Sequence, residues 1–480
     1  MIRGDERIMQ NIFSIDAQYE EYLIDESKYS GFAESISFPK SEQEIKEILE
    51  TLRKNQIPVT IQGGKTGIVG GAVPQGGHIM NLSQMNRVKE FWMEEDGTGR
   101  ITVEPGINLI DLSKEVANRS RKQPVFFPAD PTETSASIGG VVASGAQGIS
   151  RVLYGNSREY IAAVKVMDYN GNTKNVCNGQ MEKMSGGSGK ETLDFVFGKE
   201  GITGILTEIT LKLLPKPMAV WGIAFFFMEE KQAAEFIETL KEAMPMSESG
   251  AIAAVEYIDQ KSLALIQARK ESMTKIKELP DIDAEIKAMV YIELHGAEEG
   301  IEELAELLME RAMENDSDVD AAWAVSSEAD VERLHAFRHA AAETVNLFIE
   351  EQHRKDKRIT KLGMDMLLKG QSFWNALNIY EKSLQEAGLK GCVFGHALDN
   401  HLHVNILPES YEDYQKGIEM VRCWAKETQE SDGILIGEHG VGKLKKKILK
   451  GLLPADYLAL CQKLKEKTDK ECRINRGNII

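Results

Sequence analysis

The chain has 480 residues, 42% of them apolar and 28% charged, which is ordinary for a soluble globular protein with two or three domains. A net charge of −18 argues against nucleic acid as a partner and against a surface that seeks anionic membranes, while leaving room for a local cationic pocket. The longest apolar stretch, Met218–Met228, is too short to span a bilayer, and the N-terminus has no signal-peptide core, so a cytoplasmic location is expected.

In chain order, residues 1–37 form a polar lead-in with weak helical tendency. Ser41-x-x-Glu44 is a capping box, and Ile45, Ile48, Leu49 and Leu52 follow at helical spacing. This helix leads to a short strand, Ile57–Ile61, and then to Gln62-Gly63-Gly64-Lys65-Thr66-Gly67-Ile68-Val69-Gly70-Gly71. Five of these ten residues are glycine, which lets the backbone take positive φ and turn its N–H groups onto an anion such as a pyrophosphate. It is neither a Walker A loop, because Val59 stands where that motif needs glycine, nor a Rossmann G-x-G-x-x-G, because a strand, His78–Leu82, comes next.

Ile101–Val103 reads as a strand and residues 107–120 as an amphipathic helix. A second loop-rich stretch runs from Phe127-Pro128-Ala129-Asp130-Pro131 through Thr134 to Ile138-Gly139-Gly140, and on to Ser144-Gly145-Ala146-Gln147-Gly148. Residues 161–168 and 202–213 read as strands. Pro215-Lys216-Pro217 marks a domain boundary. Beyond it, strand-like runs alternate with acidic helical ones, which suggests a domain of helices on an antiparallel sheet. The five cysteines are scattered and never C-x-x-C, fitting a reducing cytosol and leaving no internal iron–sulfur or zinc-ribbon site.

A second cluster carries chemistry. Gly395-His396-Ala397-Leu398-Asp399-Asn400-His401-Leu402-His403 has three histidines in eight residues, and Gly437-Glu438-His439-Gly440 sets a carboxylate beside a fourth. Imidazole and carboxylate together suit a divalent first-row metal. The plainer alternative is that these histidines sit on a strand and only satisfy hydrogen bonds. Lys443–Lys447 is a basic cluster, read as a solvated helix face or, less readily, as a docking site for an acidic redox partner.

From about residue 36 to 480 the order of these motifs resembles the flavin-linked oxidase superfamily typified by vanillyl-alcohol oxidase, and within it the branch of D-lactate, glycolate and D-2-hydroxyglutarate dehydrogenases. The resemblance implies an α+β protein. A two-lobed FAD-binding domain (1–217) would be completed by a C-terminal segment (444–480), with a substrate-capping domain (218–443) and the active site between them. It implies that Gly63, Gly64, Lys65, Thr66, Gly67, Gly70 and Gly71 wrap the FAD pyrophosphate. Pro128, Asp130, Thr134, Gly139, Gly140, Ser144, Gly145, Gly148, Gly201, Ile202 and Asn475 would line the rest of the cofactor. Some members hold FAD covalently through a histidine near this loop. Here no histidine or cysteine lies between Gln62 and Gly71, and His78 reads as an edge residue with a solvated ring, so non-covalent FAD is expected.

The same resemblance implies that His396, His403 and Glu438 bind one divalent ion (Zn, Mn or Fe), with His439 as general base and Arg338 as carboxylate anchor. The sequence departs from the family pattern at Leu398-Asp399-Asn400-His401, where Gly-Asp-Gly-Asn is usual, and at Asn475-Arg476-Gly477-Asn478, where Asn-Pro-Gly-Lys is usual. His401 is left without a role, and Lys361 is a further substrate-contact candidate. The implied reaction is oxidation of a D-2-hydroxy acid, D-lactate-like, to the 2-oxo acid by hydride transfer to flavin N5. Electrons would pass to a separate acceptor: an electron-transfer flavoprotein, an iron–sulfur subunit or a quinone, with peripheral membrane attachment through such a partner. A homodimer is left open. The alternatives are a flavin-dependent transferase of the alkyl-glycerone-phosphate synthase type, or a non-catalytic flavin subunit of an oxidoreductase complex.

Overall fold

The computed structural model describes residues 11–129, 131, 133–177 and 192–480. It divides into two units: Met1–Gly148, Asn156–Lys216 and Glu438–Ile480 form the first, and Ile149–Gly155 with Pro217–Gly437 the second. The chain passes from the first unit to the second between Lys216 and Pro217 and returns between Gly437 and Glu438, and residues 149–155 belong to the second.

Among the described residues, the first unit holds two sheets. The smaller is ordered β1-β2-β4-β3, from β1 (Phe13–Ser14), β2 (Ser35–Ser37), β3 (Val59–Gln62) and β4 (His78–Asn81), with β2, β4 and β3 mutually parallel. The polar lead-in thus supplies two strands and a short 3-10 turn, Ala17–Leu23, rather than only weak helix. The helix Glu42–Lys54 makes one half of the expected capping box: Ser41 Oγ accepts the Glu44 N–H at 3.2 Å, while the Glu44 carboxylate takes the Lys40 N–H at 3.0 Å, and Ile45, Ile48, Leu49 and Leu52 face the core.

The larger sheet is ordered β5-β6-β10-β8-β9, from β5 (Val88–Met93), β6 (Gly99–Val103), β8 (Ile161–Met167), β9 (Thr173–Cys177) and β10 (Ile205–Pro215). Its fringe strand β7 (Val125–Phe126) pairs with β10. Met167 and Ile205 from this sheet, with Tyr169 from the turn between β8 and β9, join Val59 and Met80 from the smaller one and the helix residues Ile45, Leu49 and Leu52 in one apolar core. Each such side chain contributes roughly 1.5–3 kcal/mol when buried. The chain's end belongs to this core too. Val59 donates to the Arg473 carbonyl at 2.8 Å and Asn475 to the Val59 carbonyl at 2.9 Å, so residues 473–475 lie along β3 and Ile474 is fully buried.

The second unit is built on one antiparallel sheet ordered β14-β11-β13-β12-β16-β17-β15. Its strands are β11 (Ala219–Phe227), β12 (Gly250–Asp259), β13 (Ala288–Gly296), β14 (Trp323–Val325), β15 (Leu362–Met364), β16 (Gly391–His396) and β17 (His401–Ile406). One face packs against the long helix Glu328–Lys355, through Leu334, Phe337, Ala341 and Val345 against Ala224, Ile258, Met289 and Tyr291. In register, Glu256 on β12 lies opposite Tyr291 and His396, and Phe394 lies opposite His403. Paired residues share a face, so these polar groups line the side that the helix covers.

Candidate functional site

The glycine loop after β3 is fixed at both ends by one buried side chain. Gln62 Nε2 donates to the Tyr22 and Ala72 carbonyls, both at 2.8 Å. A Cβ on Gly63 would lie 2.0 Å from Ser137 Oγ, and one on Gly64 would lie 2.9 Å from the Ser135 carbonyl oxygen. The two loop-rich segments therefore touch backbone to side chain, which only glycine permits. Ser137 Oγ accepts the Gly140 N–H at 3.2 Å, opening the helix Ile138–Ser144, and Gly139 N donates to the Pro105 carbonyl at 2.8 Å. Gly64 and Gly67 are exposed, and a Cβ on Gly67 would meet no protein atom within 4 Å.

The remaining cradle candidates sit around this contact. Thr66 is half-buried, Pro128 and Gly148 are buried, and Thr134 accepts the Ile110 N–H at 3.3 Å. Ser144 Oγ donates to the Gly140 carbonyl at 2.9 Å, and Gly145 ends the helix in the left-handed region against Gly198. Lys65 turns its ammonium to the Glu21 carbonyl at 2.7 Å and to the Tyr22 ring, so protein groups engage it. Asp130 lies outside the described residues.

The C-terminal segment closes on the same loop. The buried Glu200 carboxylate accepts the Val441 N–H at 2.6 Å and the Gly442 N–H at 2.9 Å. Burial raises its pKa, offset by these two backbone donors. Leu444 N donates to the Val69 carbonyl at 3.0 Å. Asn475 Oδ1 accepts the Ile61 N–H at 2.8 Å and its Nδ2 donates to the Glu200 carbonyl at 3.1 Å, so this cofactor candidate ties β3 to the Glu200 turn. A Cβ on Gly201 would lie 2.5 Å from Asn475 Nδ2, and Ile202 is fully buried.

Two readings of the sequence need correction here. Lys443 and Lys445 are 1% and 2% exposed, so Lys443–Lys447 is no continuous solvated face or docking patch. His78 is fully buried rather than solvated. β4 is interior to its sheet, and the ring nitrogens meet Ser35 Oγ at 2.9 Å and Ser37 Oγ at 2.7 Å.

In the second unit, the β16–β17 hairpin gathers the histidines. The ring centroids of His396, His401 and His403 lie 5.2–5.4 Å apart pairwise, and His396 and His403 bring ring nitrogens within 4.8 Å of each other. They are strand residues, as the plainer reading held, yet they also form a cluster. Gly395 makes this possible: at φ +137° its missing side chain leaves room for the His403 ring. His396 Nδ1 faces Glu256 Oε1 at 2.5 Å, which makes Nδ1 the protonated nitrogen and directs the Nε2 lone pair outward, the arrangement found behind metal-binding histidines.

His401 is placed by a residue that the sequence did not single out. Arg151 Nη1 lies 3.0 Å from His401 Nδ1, and since arginine can only donate, Nδ1 accepts. Arg151 also pairs with Asp399 at 2.8 Å. In the hairpin turn, where the family has glycine, Asn400 itself takes a left-handed φ of +55°. Its amide receives Lys241 Nζ at 2.6 Å and donates to the Gln371 carbonyl at 2.8 Å. At the second of the two lost glycines, a pinned asparagine thus takes the turn conformation.

Across the sheet from the hairpin, Arg338 is 1% exposed. Its Nε donates to Glu256 Oε2 at 2.5 Å, and its face lies over the Phe394 ring. Among the described residues, its Nη1 and Nη2 have no hydrogen-bond partner. Burial works against the Glu256 anion, but Arg338 and His396 outweigh it and hold the pKa below the usual range. One turn earlier on the same helix, His335 contacts Glu293, which also takes His295 Nε2 at 2.6 Å and the Tyr291 hydroxyl at 2.8 Å. Tyr154 Oη stands 2.6 Å behind, at His295 Nδ1. Lys361 is buried, with Nζ 2.5 Å from Asn346 Oδ1.

Glu256, Glu293 and Arg151 escaped the sequence reading. The signal for the first two was a lone carboxylate inside an apolar strand, Ala251–Ile258 and Ala288–Leu294, where an unpaired charge would be costly. Gly437 packs against the cluster: a Cβ there would lie 2.4 Å from His401 Nε2 and 2.5 Å from the Asp365 carbonyl oxygen. Glu438 is the next residue in the chain and begins the last stretch of the first unit. There its carboxylate lies 3.3 Å from the Gln147 N–H and 3.8 Å from His439 Nε2.

Two family models match this chain. Residues 33–176 match the FAD binding domain, and residues 221–479 match the C-terminal domain of FAD linked oxidases. The chain belongs to the FAD-linked oxidases. Its relatives include a D-lactate dehydrogenase from Anaerostipes hadrus, 29% identical over 96% of this chain and 92% of that protein. A D-2-hydroxyglutarate dehydrogenase from Xanthomonas citri pv. viticola is 26% identical over 93% of this chain and 89% of that protein. Among solved structures, 4-ethylphenol oxidase from Gulosibacter chungangensis superposes with a TM-score of 0.71 at 17% identity, covering 98% and 94% of the two chains. An alkyldihydroxyacetonephosphate synthase superposes at 0.67 and 14% identity, covering 98% of this chain and 85% of the other. These structures share the fold of vanillyl-alcohol-oxidase-type flavoproteins. The protein is thus an FAD-linked oxidoreductase with helices and sheets arranged in that α+β fold. No helix among the described residues is long and apolar enough to cross a membrane.

Proposed function

We propose that this protein oxidises a D-2-hydroxy acid to the 2-oxo acid, with Arg338 as the substrate-carboxylate anchor. The observation that carries this is the Arg338 guanidinium: buried, held by one edge, and with Nη1 and Nη2 lacking partners among the described residues. A buried cation with two parallel donors is matched by a carboxylate. The curated relatives named for D-lactate and D-2-hydroxyglutarate point to the same substrate class.

FAD fits the cradle of Gly63–Gly71 and Pro128–Gly148, whose contact depends on absent side chains and whose Gly67 opens to unfilled space. It would be held non-covalently, since the loop has no histidine or cysteine and His78 is enclosed by two serines. Bound flavin supplies the acceptor for the α-hydrogen. His439 takes the hydroxyl proton as general base, a role suited to neutral imidazole. His396 and His403, with Glu438 one residue beyond the Gly437 contact, would hold a divalent cation that lowers the hydroxyl pKa. Two imidazoles, that of His396 backed by Glu256, and a carboxylate form a suitable donor set. Electrons leave to a separate acceptor protein or quinone.

The test is anaerobic reduction of the purified flavoprotein by D- and L-2-hydroxy acids, with and without added divalent metal. Bleaching by a D-acid supports the proposal. A bound flavin that no 2-hydroxy acid bleaches would favour a flavin-dependent transferase or a non-catalytic flavin subunit.

A further inference from the structure

Lys443 is the least solvated lysine of its basic cluster, 1% exposed. Its ammonium meets Asn478 Oδ1 at 2.5 Å, the Gly71 carbonyl at 3.3 Å and the Gly70 carbonyl at 3.4 Å. Asn478 adds a second hold on the loop, donating from Nδ2 to the Gly71 carbonyl at 3.0 Å and to the Glu200 carbonyl at 3.2 Å. In a trans peptide the C=O and the following N–H point in opposite directions. Carbonyls drawn toward Lys443 therefore turn the N–H groups of Gly71 and Ala72 away from it. The Ala72 N–H lies on the side of the buried Asp25 carboxylate and helps to stabilise its charge, so one peptide unit sits between a cation and an anion.

We propose that Lys443 is a positioning residue for the cofactor: by gripping Gly70, Gly71 and Asn478 it sets the glycine loop for the FAD pyrophosphate, so that FAD binding and the charged lysine favour one another. This rests on the reading that Gly63–Gly71 holds the pyrophosphate. Burial pushes the Lys443 ammonium down to about 8; Glu200 and Asp25 oppose that shift, and Lys446 adds to it. An incoming diphosphate favours the charged form and raises the pKa again. Linkage fixes the sign. Above about pH 8 the free protein lacks this proton and the complex holds it, so binding takes up as much as one proton and affinity falls as pH rises.

The test uses apo-protein and FAD in titration calorimetry at about pH 9, in two buffers of unlike ionisation heat. The wild type is expected to take up a measurable fraction of one proton. Lys443→Arg, which stays charged, should bind FAD at this pH with little or no uptake. Lys443→Met should bind on the order of 30-fold more weakly, also without uptake. No uptake by the wild type, or uptake and affinity both preserved in Lys443→Met, overturns the proposal; the wild-type and arginine measurements decide even if Lys443→Met does not fold. Gly67→Leu tests the loop itself, because a Cβ at this position meets no protein atom within 4 Å. If Gly67→Leu binds FAD as the wild type does, the glycine loop is not the pyrophosphate site, and that failure is separate from failure of Lys443.

Discussion

Arg338 and Glu256 form an ion pair in which both side chains are 1% exposed, and the second Glu256 oxygen is given to His396. One carboxylate on β12 thus orients the proposed substrate anchor and a proposed metal ligand together. Glu256→Gln is expected to damage both. Steady-state kinetics should show KM for the hydroxy acid rising about 10-fold or more, and metal affinity should fall about 10–100-fold, the usual cost of losing a carboxylate behind a ligand histidine. Equal KM and equal metal affinity in this variant would remove Glu256 from the site.

Arg338→Lys keeps the charge but loses the planar fork, and KM is expected to rise by roughly 10–100-fold with flavin still bound. Arg338→Met leaves Glu256 buried beside His396 alone and should also lower stability by about 3–5 kcal/mol. Urea unfolding of both variants separates the two effects.

His439→Ala should retain its flavin spectrum and slow reduction by substrate by about 10²–10⁴-fold, the range for a positioned general base. Stopped-flow absorbance reads this directly. Loss of flavin with unchanged rate per bound flavin would make His439 a structural residue.

His78 offers a test of the fold. Burial drives its pKa down from 6.5 to about 3, so the folded state holds the ring neutral while the unfolded chain protonates it below 6.5. Stability from this residue is complete above pH 6.5 and is lost as pH falls, by about 3 kcal/mol on reaching pH 4. Asp25, raised to about 6 by burial, acts in the opposite sense over part of that range. The difference between wild type and His78→Asn in urea unfolding at pH 7 and pH 4 isolates the histidine. An equal pH dependence in the two proteins would show that the ring is not held neutral.

Much of the site was legible because its residue types are chemically unusual where they stand. The glycine density of Gly63–Gly71 and the three histidines of 396–403 stand out in composition; in the structure the first packs against Ser135 and Ser137 and the second forms a cluster. His78 and Lys443 were misread for one reason. A polar residue near a loop or in a basic run looks solvated in sequence, and burial depends on neighbours from elsewhere in the chain. For His78 these are Ser35 and Ser37. For Lys443 they are Gly70, Gly71 and Asn478.

The sequence by itself determined the family, and it set out the two glycine-bearing segments and the residue types at 396, 403, 438 and 439 as candidates, because local backbone freedom and side-chain chemistry are written residue by residue. Only the tertiary structure decided that Glu256 serves Arg338 and His396 at once, that Arg151 tethers His401, and that the chain's last residues pin its first glycine loop. Those pairings join residues 82 to 407 positions apart, and sheet register and core packing choose such partners where periodicity within a segment cannot.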